Sequence, residues 1–103
     1  MAQHVTFWRM KVQPGKLGEL RALMDARGSE AARLKATGWV QTVVGERKDA
    51  ADEIWGAVTW DNSDNYYKNA AAPEQDEWYR KLRSLLVSDP EWFDCNVIAE
   101  ERA

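Results

Sequence analysis

The chain has little of what many small proteins use for crosslinking or charge chemistry: one cysteine, one histidine and three prolines among 103 residues. The lone Cys95 cannot close an intrachain disulfide, and with His4 as the sole histidine it cannot form a Cys/His zinc site. Basic charge is not in excess either. Seventeen acidic against 14 basic side chains give a net charge of −3, which offers no cationic field to a phosphate backbone or an anionic lipid surface. Nucleic acid and membrane are therefore not expected partners. Apolar runs extend over only a few residues, too short to span a bilayer, and Met1-Ala2-Gln3-His4 lacks the charged-then-apolar opening of a secretory signal. A cytoplasmic protein is the expectation. The acidic stretch from Asp49 to Glu53 lacks the ligand spacing of a calcium loop and reads as a solvated hairpin tip, so no metal site is expected.

What the chain does have is aromatic rings: six tryptophans, three tyrosines and two phenylalanines. Each buries on the order of 150–250 Å², so the rings either fill a core or wall a pocket. At this length, with 45% apolar residues, the whole of 1–103 is one domain with a single core.

Val5 to Val12 alternates β-branched and aromatic residues and stops at Pro14-Gly15, which predicts a first strand. Lys16 to Ala36 carries Leu17, Leu20, Leu23, Met24, Ala31 and Leu34 at helical spacing, with Gly28-Ser29 as its weak point and Thr37-Gly38 as its stop. Trp39 to Arg47 and Glu53 to Trp60 read as two antiparallel strands joined by a polar hairpin. Asp61 to Asp64 is rich in capping side chains, and Tyr66 to Asn69 predicts a short helix. A second amphipathic helix follows from Glu74 to Val87, with Trp78, Leu82, Leu85 and Leu86 on one stripe. Trp92 to Ala99 is a last strand. The order βαββαβ predicts an α+β, ferredoxin-like fold: a four-stranded antiparallel sheet with the helices on one face.

Such a sheet should be apolar on one side only. Here Val5 and Phe7 oppose Trp8, Met10 and Val12 in the first strand, Trp39 and Val43 oppose Val40 and Val44 in the second, and Trp55 and Ala57 oppose Ile54, Val58 and Trp60 in the third. Helices cover one face, and an open apolar face of this size exceeds what monomers usually tolerate. The expected partner is a second copy of the chain, laid sheet to sheet in a homodimer with a shared barrel-like core.

Element order, length and local motifs together resemble the antibiotic-biosynthesis-monooxygenase-like domains of the dimeric α/β-barrel superfamily. The motifs are Pro14-Gly15-Lys16, Gly38-Trp39-Val40, Val58-Thr59-Trp60-Asp61-Asn62-Ser63 and the Tyr66-Tyr67 pair. The resemblance implies a cofactor-independent monooxygenase with a small hydrophobic or aromatic substrate, of the aromatic polyketide or quinol kind. It also carries over a tryptophan and a tyrosine of the anthrone oxygenases onto Trp60 and Tyr66, and an arginine of the second helix onto Arg80. The asparagine those enzymes place four residues before the tryptophan is Gly56 here. Haem-degrading members of the superfamily need a histidine on the second helix, and this chain has none after His4.

In the chemistry this implies, Trp60 and Tyr66 donate hydrogen bonds toward substrate or peroxy oxygen, and Arg80 favours an anionic substrate. Gly56 leaves space for a flat ring on the face of Trp60. Trp39 and Trp78 join Gly56 as substrate-contacting candidates. The structural alternative for each ring is packing, and for Arg80 a surface ion pair with its acidic neighbours. His4 is expected to be exposed at a strand start, and Cys95 to be a small apolar thiol in mid-strand. Asp94 and Asn96 alternate with Cys95 and so share its opposite face. A non-catalytic ligand-binding or accessory module of the same fold is the rival reading, and an empty or collapsed pocket separates the two.

Overall fold

The computed structural model describes residues 2–103. Its elements are β1 (His4–Lys11), α1 (Leu17–Gly28), α2 (Ala31–Ala36), β2 (Trp39–Glu46), β3 (Glu53–Trp60), α3 (Ser63–Ala70), α4 (Pro73–Ser84) and β4 (Glu91–Asn96). All three strand pairings are antiparallel and the sheet order is β2-β3-β1-β4, which is the ferredoxin-like arrangement. The first long helix is divided: α1 ends at Gly28, and Ser29 turns its hydroxyl back onto the Ala26 carbonyl at 2.6 Å before α2 begins. α3 starts earlier than expected because Asn62 caps it, its side chain accepting from the Asn65 amide at 2.8 Å. Pro73 opens α4 at a position where its missing N–H costs nothing.

The core lies between the sheet and α1 and α4, formed by Trp8, Met10, Val12, Leu20, Ile54, Leu82 and Leu86. After α4 the chain returns to the end of β1. Val87 donates to the Lys11 carbonyl and Gln13 to that of Leu85, both at 2.9 Å, which fixes where α4 sits above the sheet.

Register decides which residues meet, because directly opposed residues in a sheet share a face. On the helix side three cross-strand rows run from β2 to β4: Trp39, Trp60, His4, Asn96; then Thr42, Val58, Thr6, Asp94; then Val44, Gly56, Trp8, Trp92. The opposite face carries Val43, Ala57, Phe7 and Phe93 in one row, with Gln41, Thr59, Val5 and Cys95 beside it.

Both faces are apolar, as expected, but strict alternation misplaces Trp39. The pairing with β3 shifts between Trp39 and Gln41, a bulge that takes up Val40. Trp39 therefore shares the helix face with Val44, and Val43 points the other way. Gly38 makes this entry passable: its φ is +109°, and a side chain there would run into the Asp61 carboxylate and the Asn65 amide.

Candidate functional site

Between the helix face of the sheet and the helices lies an open cavity of about 780 Å³. Five of the six tryptophans and all three tyrosines border it; Trp55, on the outer face, is the exception. The ring-rich composition thus walls a hollow. The helix-side rows supply its floor, α1 and α2 contribute Met24, Arg27 and Leu34, and α3 and α4 contribute Tyr66, Tyr67, Trp78 and Tyr79.

Four of the six residues expected at the site border this cavity: Trp60, Tyr66, Trp39 and Trp78. Trp60 is 2% exposed and meets the Tyr66 ring edge-on, with centroids 6.3 Å apart. Burial pushes the Tyr66 phenol above its ordinary pKa, so Tyr66 remains a proton donor through neutral pH. Trp39 donates its indole N–H to the Thr42 hydroxyl at 2.8 Å. The Trp78 indole nitrogen is buried with no hydrogen-bond partner among the described residues.

The other two are corrected. Gly56 does leave room for a flat ring, but the ring that takes it is the Trp8 indole, from the neighbouring strand; a Cβ at position 56 would overlap it. Trp8, not a ligand, covers that part of the floor. Arg80 lies outside. Trp78 and Leu82 set the inward stripe of α4, and two residues along a helix from either is roughly the opposite side. Its side chain is 80% exposed and pairs with Asp76 one turn away at 3.1 Å.

The cavity's arginine is Arg27, which the sequence did not single out. It lies in the last turn of α1, its guanidinium is 4.6 Å from the centroid of the Trp78 ring, and it donates to the Gln75 side-chain carbonyl. Burial lowers its pKa, with smaller effects from Glu30 and Arg33.

The second unanticipated feature is a polar chain at the cavity's edge. His4 is 2% exposed, not solvated, because Tyr66 stacks on it at 4.2 Å and Tyr67 meets it edge-on at 5.6 Å. Its Nδ1 lies 2.9 Å from the Ser63 hydroxyl and its Nε2 2.7 Å from the Thr6 hydroxyl. Thr6 donates its only proton to Asp94 Oδ1 at 2.8 Å, and Tyr67 donates to Asp94 Oδ2 at 2.9 Å.

These bonds fix the tautomer. With the Thr6 proton committed to a carboxylate, Nε2 must donate to Thr6, and Nδ1 of a neutral ring then accepts from Ser63. Burial, which lowers the His4 pKa against a weaker pull from Asp94, agrees with a neutral ring. The 3.9 Å approach of His4 to Asp94 is accordingly not an ion pair. Alternation did place Asp94 opposite Cys95; its link to Thr6 follows from register, since the two are directly opposed. Cys95 sits half-buried on the outer face, away from the cavity.

No family model matches the chain, and no curated protein matches it in sequence. Solved structures do. A conserved protein of Methanosarcina mazei superposes with a TM-score of 0.81 over 93% of each chain at 14% identity. A candidate antibiotic biosynthesis monooxygenase from Chloroflexus aurantiacus gives 0.77 over 98% of each chain at 19% identity. The fold is that of the antibiotic biosynthesis monooxygenase-like domains. SnoaB from Streptomyces nogalater, a cofactor-independent oxygenase whose structure was solved with one asparagine replaced by alanine, gives 0.75 over 97% of each chain at 16% identity. At these identities the monooxygenase-like domain is shared as a fold, and chemistry has to be argued from the cavity. No described helix is long and apolar enough to cross a membrane.

Proposed function

We propose that the protein is a cofactor-independent monooxygenase of a planar aromatic substrate, of the anthrone or quinol type, working as a homodimer. The observation that carries this reading is the open, ring-walled cavity in which Trp60, Tyr66 and the Asp94 carboxylate share one wall system. Likeness of fold to SnoaB, named as a cofactor-independent oxygenase, supports it.

An anthrone reacts with dioxygen only after losing a proton from its central methylene. Asp94 has accepted one bond on each oxygen and keeps a lone pair on each, so it takes that proton. The carbanion passes an electron to dioxygen, the radical pair combines to a peroxide, and loss of water leaves the carbonyl. One oxygen atom enters the product and the other leaves as water. Trp60 and Tyr66 donate toward the developing charge, and the surrounding rings make the cavity wall apolar.

Oxygen uptake with anthrone tests this. Trp60→Phe and Tyr66→Phe are expected to slow turnover at least about tenfold, the usual scale for losing one donor to a developing charge. Asp94→Asn is expected to slow it at neutral pH and to recover at alkaline pH, where the substrate ionises unaided. Unchanged rates in all three variants contradict the proposal.

A second reading, a ligand-binding or accessory module, is favoured by Gly56 and Arg80, since neither presents a polar group to the cavity. It predicts ligand binding without any protein-dependent oxygen uptake.

A further inference from the structure

The ionised groups bordering the cavity are not partnered alike. Two carboxylates border it, and both are engaged: Asp76 by Arg80 at 3.1 Å, Asp94 by the Thr6 and Tyr67 hydroxyls at 2.8 and 2.9 Å. One cation borders it, Arg27, and its hydrogen bond goes to the neutral carbonyl oxygen of Gln75. Glu30, the N-cap residue of α2 three residues further on, is paired with Arg33 at 3.1 Å instead. A half-buried guanidinium lying on an indole, with a longer-range pull from Glu30 but no carboxylate of the described residues in an ion pair with it, is a cation without a direct counter-ion. Stacking on Trp78 uses one face of the guanidinium and Gln75 one of its five N–H groups. The remaining N–H groups have no acceptor among the described residues.

We infer that the cavity binds a planar aromatic acid as its anion, with the carboxylate held by Arg27 and the ring system lying among the tryptophans. Gln75 is the positioning residue: its carbonyl oxygen fixes the guanidinium over Trp78. The inference takes the same cavity as the working site and so rests on the proposed function in that respect, but it does not depend on oxygen chemistry.

Isothermal titration of 2-naphthoate against 2-naphthamide, a neutral analogue of nearly equal shape, reads the inference directly. The wild-type protein is expected to bind the carboxylate at least about tenfold more tightly, the scale of one charge-assisted hydrogen bond. Arg27→Gln should remove that preference by weakening 2-naphthoate alone, and Arg27→Lys should restore part of it. Arg21→Gln, which removes an equal charge from the exposed side of α1 away from the cavity, should leave both affinities unchanged. Circular dichroism of each variant separates lost binding from lost folding.

Equal affinities for the two compounds in the wild type, a preference that survives Arg27→Gln in a folded protein, or failure of both compounds to bind at millimolar concentration would each overturn the inference. Oxygen uptake is measured separately. A carboxylate preference without uptake sinks the oxygenase reading alone, and uptake without the preference sinks this one alone.

Discussion

His4 shows how a single side chain acquires a role that composition cannot announce. A histidine near a chain start is usually solvated, yet here register sets it beside Trp60 and Asn96, and two tyrosines of α3 close over it. Burial lowers its pKa below the ordinary 6.5. Between that lowered value and 6.5 the unfolded chain carries the extra proton, so stability rises with pH across the interval. The contribution is complete above pH 6.5 and is lost as pH falls toward the folded-state value. Urea unfolding should find His4→Ala less stable than wild type by about 1–3 kcal/mol at pH 7.5, because the Ser63 and Thr6 hydroxyls lose their partner. The gap should narrow by pH 5.5. A gap that stays constant or widens on acidification argues for a charged histidine in the fold.

At the scale of elements, strands obeying strict alternation were legible and those departing from it were not. Trp8, Met10 and Val12 against Val5 and Phe7 could be sorted by counting, since β1 runs unbroken. Trp39 could not, because the bulge at Val40 reverses its side without any glycine or proline at that residue to signal it. Helix phase gives a similar lesson. Resemblance points to Arg80, but the stripe through Trp78 and Leu82 turns it to solvent, while Arg27 enters the cavity from the last turn of α1. The contacts that define the polar chain, from Ser63 to Tyr67, join three elements and exist only once the register is set.

Gly56 and Trp8 act as a pair across β3 and β1. The absent Cβ lets the indole lie flat across the neighbouring strand. Gly56→Ala should cost about 1–3 kcal/mol by overpacking and should displace Trp8 toward the cavity. Thermal denaturation with tryptophan emission as the probe checks both. An unchanged melting temperature and spectrum would mean that the indole has another place to rest.

At the scale of the molecule, the face away from the helices remains to be covered. Phe7, Val43, Trp55 and Phe93 on it are 45–56% exposed, and the row from Val43 to Phe93 crosses all four strands. Charged residues gather toward one end of the sheet, where Arg9 meets Glu91 at 2.7 Å and Arg47 meets Glu53 at 2.7 Å. An apolar face with a charged margin at one end suits a self-complementary interface, and a second copy placed there leaves the helix-side cavity untouched. Sedimentation equilibrium should give twice the chain's 11.8 kDa for wild type. Phe93→Glu, with a carboxylate in the middle of the apolar row, should shift it to monomer. A wild-type monomer at micromolar concentration would contradict the dimer.

The central claim is that the ring-walled cavity inserts one atom of dioxygen into an aromatic ring system. Mass spectrometry of the quinone formed from anthrone under ¹⁸O₂ measures this directly. The account predicts one labelled oxygen per product molecule, formed at a rate proportional to protein concentration and reduced at least about tenfold by Trp60→Phe. Product forming equally fast without the protein, or carrying no labelled oxygen, would contradict it.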